Sequence, residues 1–506
     1  MNNLWKALTS RMFLTILIIV IQMLLLIGII FFIGNLYYYN IIFYALSALM
    51  ALWIINRNDN PAYKIAWIVL IMLLPLAGGV LYLLFGKNRT TKKMQISIKN
   101  IVKVNEYFLP SHEEYIQEIE RLNPQYAKHV KYIHSTTRQP VWKNTQTAFL
   151  SPGEKKFEAM LNDLRKAEKF IFLEYFIITP GYMWGSILKI LAEKAKQGVQ
   201  IKLIYDDMGT INTLPPNYDA ILAQLGIDAY VFNPFKPRLN AFMNNRDHRK
   251  ILIIDGNIGY TGGINLADEY INKRERFGYW KDSAIRIEGE GVQSLTLMFL
   301  QMWYYVSNTL LDCKKYFPTK SVASDGYVMP FADNPVDNNQ AAERVYLNII
   351  NSATRYVYIQ TPYLVMDNEL TTALCLAAKN GLDVRIVTPH IPDKFYVHTL
   401  TRASYKELIQ AGVKIYEFTP GFIHSKVILA DDQVGVIGTA NFDFRSLYLH
   451  FECAVWLYRS KALTEAYQDF LGILRVSQRI TMQDYINVPW YQRLLRAVLK
   501  VFSPLM

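Results

Sequence analysis

The chain has 506 residues, of which 52% are hydrophobic and 19% charged, and a formal net charge of +12. That length accommodates several domains. The three cysteines, Cys313, Cys375 and Cys453, are far apart and lack metal-type spacing, so they read as reduced or buried thiols compatible with a cytosolic face.

Much of the hydrophobic excess lies in the first ninety residues. Met12 to Ile33 is apolar apart from Thr15 and Gln22, long enough to cross a bilayer. It is too long for the core of a signal peptide, and no small-residue cleavage site follows it. Ile41 to Ile55 is shorter, extended toward an interface by the tyrosines at 37–39. Ala66 to Phe85 is the third apolar segment, with Pro75, Gly78 and Gly79 inside it. Residues 1–86 therefore read as a membrane anchor of two or three segments, in a multi-pass protein of the cell membrane. Lys6 and Arg11 before these segments, and Lys87, Arg89, Lys92 and Lys93 after them, all favour the cytoplasmic side, where the large domain is expected. Both ends lie inside only with an even number of crossings. With three segments, either the second or the Pro75/Gly78/Gly79 one must then be interfacial or re-entrant. On a soluble protein the positive charge would point to nucleic acid. Beside membrane segments the plainer partner is anionic lipid, and no nucleic acid is expected.

Residues 87–145 read as a basic juxtamembrane linker. Beyond them strands alternate with helices: a strand at Lys169–Tyr175, a helix at Trp184–Gln197, a strand at Val199–Tyr205, a helix at Tyr218–Leu225 and a strand at Asp228–Phe232. The pattern then recurs. Ala167-EKFIFLEYF aligns with Ala353-TRYVYIQTP, Gly198-VQIKLIYDD with Gly381-LDVRIVTPH, and Gly226-IDAYVFNP with Gly412-VKIYEFTP. The expected fold is α/β, in two repeated halves with mixed sheets at 146–314 and 341–506. A Pro-, Asp-, Asn- and Ser-rich linker at 315–340 joins them.

Each half carries the pattern His-x-Lys, four residues, then Asp. The first copy is His248, Lys250 and Asp255, and the second is His424, Lys426 and Asp431. Each is followed at the same distance by a small-residue turn ending in Asn, Gly262-Gly263-Ile264-Asn265 and Gly438-Thr439-Ala440-Asn441. Two matching copies point to one active site split into half-sites. Alternation along a strand places His and Lys on one face. A neutral imidazole is a nucleophile and proton carrier, and lysine supplies positive charge for an oxyanion. Asn265 and Asn441 add amide donors for a phosphate. Such a set suits a phosphodiester, with one histidine attacking phosphorus and the other protonating the leaving oxygen. Asp282, downstream of His248, and Glu452, downstream of His424, stand at corresponding places and are assigned as the acids that orient the two imidazoles. Asp255 and Asp431 are counted with the catalytic His and Lys of the repeated set, although at strand ends they read more as turn anchors or partners of a cation. Glu174 and its counterpart Gln360 read equally as site lining or as strand-end structure. Tyr363 is a candidate head-group contact. The remaining histidines, His450 among them, read as surface or core residues.

The repeated H-x-K-x4-D-x6-G-[GST]-x-N pattern resembles the phospholipase D superfamily. The N-terminal region, with FLEYFI, FNPF, TGGINLADEY, IQTPYLV, FIHSK, GTANFDFRS and the closing RLLRAVLKVFSPLM, is similar to bacterial cardiolipin synthases. This resemblance implies phospholipase D-like halves and phosphatidyl transfer between two phosphatidylglycerol molecules, giving cardiolipin and glycerol. It implies no metal or other cofactor, and a covalent phosphohistidine on His248 with His424 as general acid and then base. Thr439 stands where Ser is commoner, with the hydroxyl kept. A phospholipase D-type hydrolase or a phosphatidylserine synthase would use the same site with water or serine as acceptor. The final stretch, Trp490 to Phe502, has Leu494, Leu495, Val498, Leu499 and Phe502 at helical spacing, with Arg493, Arg496 and Lys500 opposite. It reads as an amphipathic helix on an anionic membrane or, alternatively, docked on the domain.

Overall fold

The structure is a computed structural model that describes residues 37–86, 90, 94–99, 107–234, 244–337 and 339–505, with scattered positions between 13 and 28. Most of the first apolar segment, and Lys6, Arg11, Lys87, Arg89, Lys92 and Lys93, lie outside the described residues.

The second apolar segment is a helix, Tyr37–Ile55. The third is not one helix but two, Pro61–Leu73 and Pro75–Phe85, which fold back on each other at Leu74. Pro61 and Pro75 each occupy a helix start, where a missing N–H costs nothing. Asn60 caps the first of the pair by accepting from the Ala62 N–H. Gly78 permits the fold-back, since a Cβ there would lie 2.6 Å from the Cα of Ile71. At 1.5 Å per residue these helices are about 20 and about 16 Å long, short of a bilayer core of about 30 Å. Among the described residues no helix is long and apolar enough to cross a membrane. Ile54, Trp67, Ile71 and Tyr82 form the small core of this hairpin, and Asn60 Nδ2 ties it to the second half by donating to Tyr448 Oη at 2.9 Å.

The segment expected as a juxtamembrane linker contains a helical run at 94–99 and, after it, the helices Glu113–Leu122 and Pro124–Thr137. Ile119, Val130 and Ile133 join Val345 and Ile349 in the core of the second half.

Two mixed sheets carry the rest. The first runs, in spatial order, Thr145–Leu150, Ala284–Gly289, Ile258–Gly262, Lys250–Ile254, Phe170–Tyr175, Gln200–Asp206 and Ile227–Phe232. The second runs Tyr327–Asp333, Glu452–Tyr458, Val434–Gly438, Val427–Ala430, Tyr356–Gln360, Asp383–Pro389, Lys414–Phe418 and Ser477–Ile480. The order is the same in both, with one strand added at the end of the second. The three strands Phe170–Tyr175, Gln200–Asp206 and Ile227–Phe232 are parallel and linked by helices, whereas Lys250–Ile254 joins antiparallel. Tyr327–Asp333 lies inside the segment expected as a linker. Its place opposite Glu452–Tyr458 makes it the counterpart of Thr145–Leu150, so the second repeat begins before residue 341.

One hydrophobic cluster takes side chains from both halves, including Ile251, Ile285 and Leu295 from the first and Val427, Ile437 and Val455 from the second. The halves also share backbone pairing: Tyr279–Lys281 lies parallel to Gly421–Ile423, and Asp247 bridges Phe451.

Candidate active site

Both histidines precede their strands rather than lying within them. Lys250 opens the first-half strand, and the strand after His424 begins at Val427. The backbone of each histidine is held by the opposite half. The His248 N–H donates to Phe451 O at 2.9 Å, and the His424 N–H donates to Lys281 O at 2.7 Å. The next residue after each acceptor is an acid, and this register fixes the site.

His248 Nδ1 therefore meets Glu452, at 2.9 and 3.1 Å from its two oxygens, while His424 Nδ1 meets Asp282 at 2.7 Å. The acids orient the histidines crosswise, each half supplying the carboxylate for the imidazole of the other. Glu452 is steadied by the Thr439 hydroxyl, which donates to it and accepts from the Cys453 N–H at 3.0 Å. The corresponding position in the first half is Gly263, where a Cβ would collide with Asp282. Asp282 is steadied instead by the Ser283 N–H at 2.7 Å.

Both imidazoles are almost fully buried, and burial pulls their pKa down, to about 3 for His248 and about 4 for His424, with Lys426 adding to the latter. Burial thus favours the neutral form of both, and a proton on Nδ1 would face the acid. Burial likewise lowers Lys250 to about 8 and Lys426 to about 7. Lys250 donates to His248 O at 2.5 Å, and Lys426 Nζ lies 3.0 Å from both ring nitrogens of His424. Burial pushes the Glu452 carboxyl up, but the His248 contact and the Lys250 charge outweigh it and hold the group well below the usual range.

The two imidazoles and both turn asparagines line one cavity of about 450 Å³. Asn265 Oδ1 accepts from the Ile177 N–H and its amide donates to Tyr270 Oη, whereas the Asn441 amide donates to Asp443. Arg246, Arg276, Lys394 and Arg445 bring positive charge to the lining, and Val365, Val397, Leu400 and Phe444 make an apolar wall. A cavity with both properties can hold a phosphodiester attached to a hydrocarbon chain. Tyr363 also lines it, with its hydroxyl donating to Asp393 at 2.5 Å.

Asp255 and Asp431 are not brought to the cavity. Asp255 accepts from the N–H groups of Glu168, Lys169 and Phe170, and Asp431 from those of Thr354, Arg355 and Tyr356. Each stands at a positive φ beyond its strand and fastens the start of the neighbouring one. Glu174 is fully buried beside Arg249 at 3.6 Å, and its counterpart Gln360 is fully buried too; neither lines the cavity.

Two further residues carry no repeat signature. His450 lines the cavity, its ring 5.5 Å from that of His248 and its Nδ1 3.8 Å from Glu452. Its counterpart, two residues before the acid of the first half, is Trp280, whose ring lies 5.4 Å from His424. Aligning LHFE with YWKD exposes this pair in the sequence. Lys156 is fully buried, donates to Ile264 O at 3.0 Å beneath the Asn265 turn, and is lowered to about 7 by burial. No sequence signal marks it.

The family model described as "Cardiolipin synthase, PLD-like domain" matches residues 160–303 and 346–474, and "Phospholipase_D-nuclease N-terminal" matches residues 45–87. The chain is 34% identical to a cardiolipin synthase of Halalkalibacterium halodurans, over 89% of this chain and 90% of the relative. It is 36% identical to a cardiolipin synthase of Geobacillus sp. (strain WCH70), over 89% and 90%. Its fold is similar to the crystal structure of phosphatidylserine synthase from Haemophilus influenzae Rd KW20, with a TM-score of 0.57 and 15% identity, covering 74% of this chain and 97% of that one.

Proposed function

Because the chain belongs to the cardiolipin synthase, phospholipase D-like domain family, we propose that it is a phosphatidyltransferase making cardiolipin from two molecules of phosphatidylglycerol. The observation that carries this reading is the pair of buried imidazoles. Each is fixed through Nδ1 by a carboxylate of the opposite half, and both line one basic and apolar cavity.

His248 Nε2 attacks the phosphorus of the first phosphatidylglycerol. His424 gives a proton to the departing glycerol oxygen, leaving phosphatidyl on His248. The primary hydroxyl of a second phosphatidylglycerol head group then passes its proton to His424. Its oxygen takes the phosphorus from His248, releasing cardiolipin. Lys250, Lys426, Asn265 and Asn441 provide the charge and amide groups that favour the transition-state oxyanions. Lys426, whose Nζ lies 3.0 Å from both ring nitrogens of His424, is the neighbouring source of the proton that His424 delivers. Bound anionic phosphate raises the affinity of this pair for that proton. Glu452 and Asp282 hold the tautomer and stabilise each imidazolium as it forms. The enzyme works at the cell membrane with its two halves on the cytoplasmic face, where the basic N-terminal segments favour it.

The test supplies purified protein with phosphatidylglycerol alone. Cardiolipin and glycerol appear in equal amounts, and His248→Ala and His424→Ala each abolish turnover. Phosphatidic acid as the sole lipid product would identify a hydrolase, and a requirement for serine and a CDP-lipid would identify a phosphatidylserine synthase.

A further inference from the structure

The C-terminal helix, Trp490–Phe502, packs with its polarity inverted. Arg496 faces the protein, is only 6% exposed, and stacks over the Tyr485 ring with its guanidinium 5.0 Å from the centroid. Lys500, one turn on, reaches Glu407 on the Phe395–Ala411 helix at 3.7 Å. Tyr491, Leu494, Val498 and Val501, spaced to form one stripe, point outward; Leu494 is 56% and Val498 48% exposed. A helix bordering water would turn the other way. The whole helix contains no acidic residue.

The helix and its end also touch two other features. Leu499, on the inner side, packs with Leu400, Phe444 and Val365, the apolar wall of the cavity, and Ser503 at the helix end lines the cavity itself. The following turn seats Leu505 in the core of the N-terminal hairpin, whose tip, Met72, Leu73 and Leu74, is exposed and apolar.

We propose that the C-terminal helix lies in the interface of an anionic bilayer with its Tyr491–Leu494–Val498–Val501 stripe among the acyl chains, and that this holds the cavity mouth against the lipid surface. The second clause rests on the phosphatidyltransferase reading; the first stands without it. Charge supports the choice of occupant, since the helix carries Arg493, Arg496 and Lys500 and no acidic residue, and Arg493 and Lys500 remain exposed. A lipid enters laterally, its head group reaching the histidines and its acyl chains following the wall of Val365, Leu400 and Phe444.

The experiment uses the full chain in phosphatidylglycerol proteoliposomes. An environment-sensitive dye is attached to Val498→Cys or, as control, to the exposed Gln197→Cys, both in a Cys375→Ser background. Spin-labelled lipid is expected to quench the dye at 498 and not at 197. No quenching at 498, as when another protein segment covers the stripe, overturns the proposal. The Leu494→Glu/Val498→Glu variant is expected to lose about tenfold or more in turnover of long-chain phosphatidylglycerol vesicles, yet stay within about twofold of the parent on monomeric short-chain phosphatidylglycerol. Equal losses on both substrates would mean that the helix only supports the fold, and would also overturn it. Failure of the parent protein to turn over either substrate would refute the phosphatidyltransferase reading, while the quenching still decides membrane contact.

Discussion

The crossed pairing of acids and histidines makes Glu452→Gln and Asp282→Asn distinguishable variants. Glu452→Gln replaces a carboxylate 2.9 and 3.1 Å from His248 Nδ1 with an amide that can present N–H instead. A hydrogen bond to a charged group is worth about 1.5–3 kcal/mol, or roughly tenfold to a hundredfold in rate. Forcing the wrong tautomer raises the loss toward ~10⁴. Asp282→Asn inflicts the same damage on His424, from 2.7 Å. The losses part company on an activated substrate. A phosphatidyl p-nitrophenol needs no proton on its leaving oxygen, so a variant impaired only in acid catalysis recovers much of the ~10²–10⁴ that such catalysis contributes. The burst of p-nitrophenolate is the assay. Asp282→Asn should behave as His424→Ala does and recover the burst. Glu452→Gln should behave as His248→Ala does and not recover it. If Asp282→Asn instead follows His248→Ala, and Glu452→Gln follows His424→Ala, the acids act within their own halves and the crossed arrangement is refuted.

Three other outcomes are open to measurement. Asp255→Asn and Asp431→Asn each weaken three backbone contacts far from the cavity; the melting temperature should fall by several degrees, while the turnover of the folded fraction stays near that of the parent. Gly263→Ala drives a methyl into Asp282 and the His424 carbonyl, so phosphatidylglycerol turnover should drop ~10²-fold or more, with little loss of burst on the p-nitrophenyl substrate. The folded pKa values of about 3 and about 4 for His248 and His424 lie below the unfolded value near 6.5, so the unfolded chain takes up their protons first. Their contribution to stability is therefore whole above about pH 6.5 and lost as pH falls toward 4, at about 1.4 kcal/mol per unit for each. A His248→Asn/His424→Asn variant should show a shallower fall in its urea midpoint over that range, and an equal fall would count against burial as the cause.

The repeat was legible because strand alternation and the His-x-Lys spacing recur at nearly constant distance, and the identical strand order of the two sheets follows from it. The orienting acids Asp282 and Glu452 were legible as residue types in corresponding places. Which acid serves which histidine was not, because the pairing is set by backbone contacts between halves, from His248 to Phe451 and from His424 to Lys281. Tyr327–Asp333 was hidden by Pro330 within it and by the polar residues around it; as an edge strand it tolerates both. His450 was obscured because its counterpart is Trp280, so identity at that position does not repeat. The break in the third apolar segment, at Leu74, falls beside the Pro75, Gly78 and Gly79 that mark it in the sequence.

The crossed acids also bear on how the protein is made. The first half leaves the ribosome with His248 but without Glu452, and with Asp282 but without His424. A nascent first half thus carries His248 without the carboxylate that holds it in the folded protein. The crossed pair of oriented imidazoles is complete only when the second half docks.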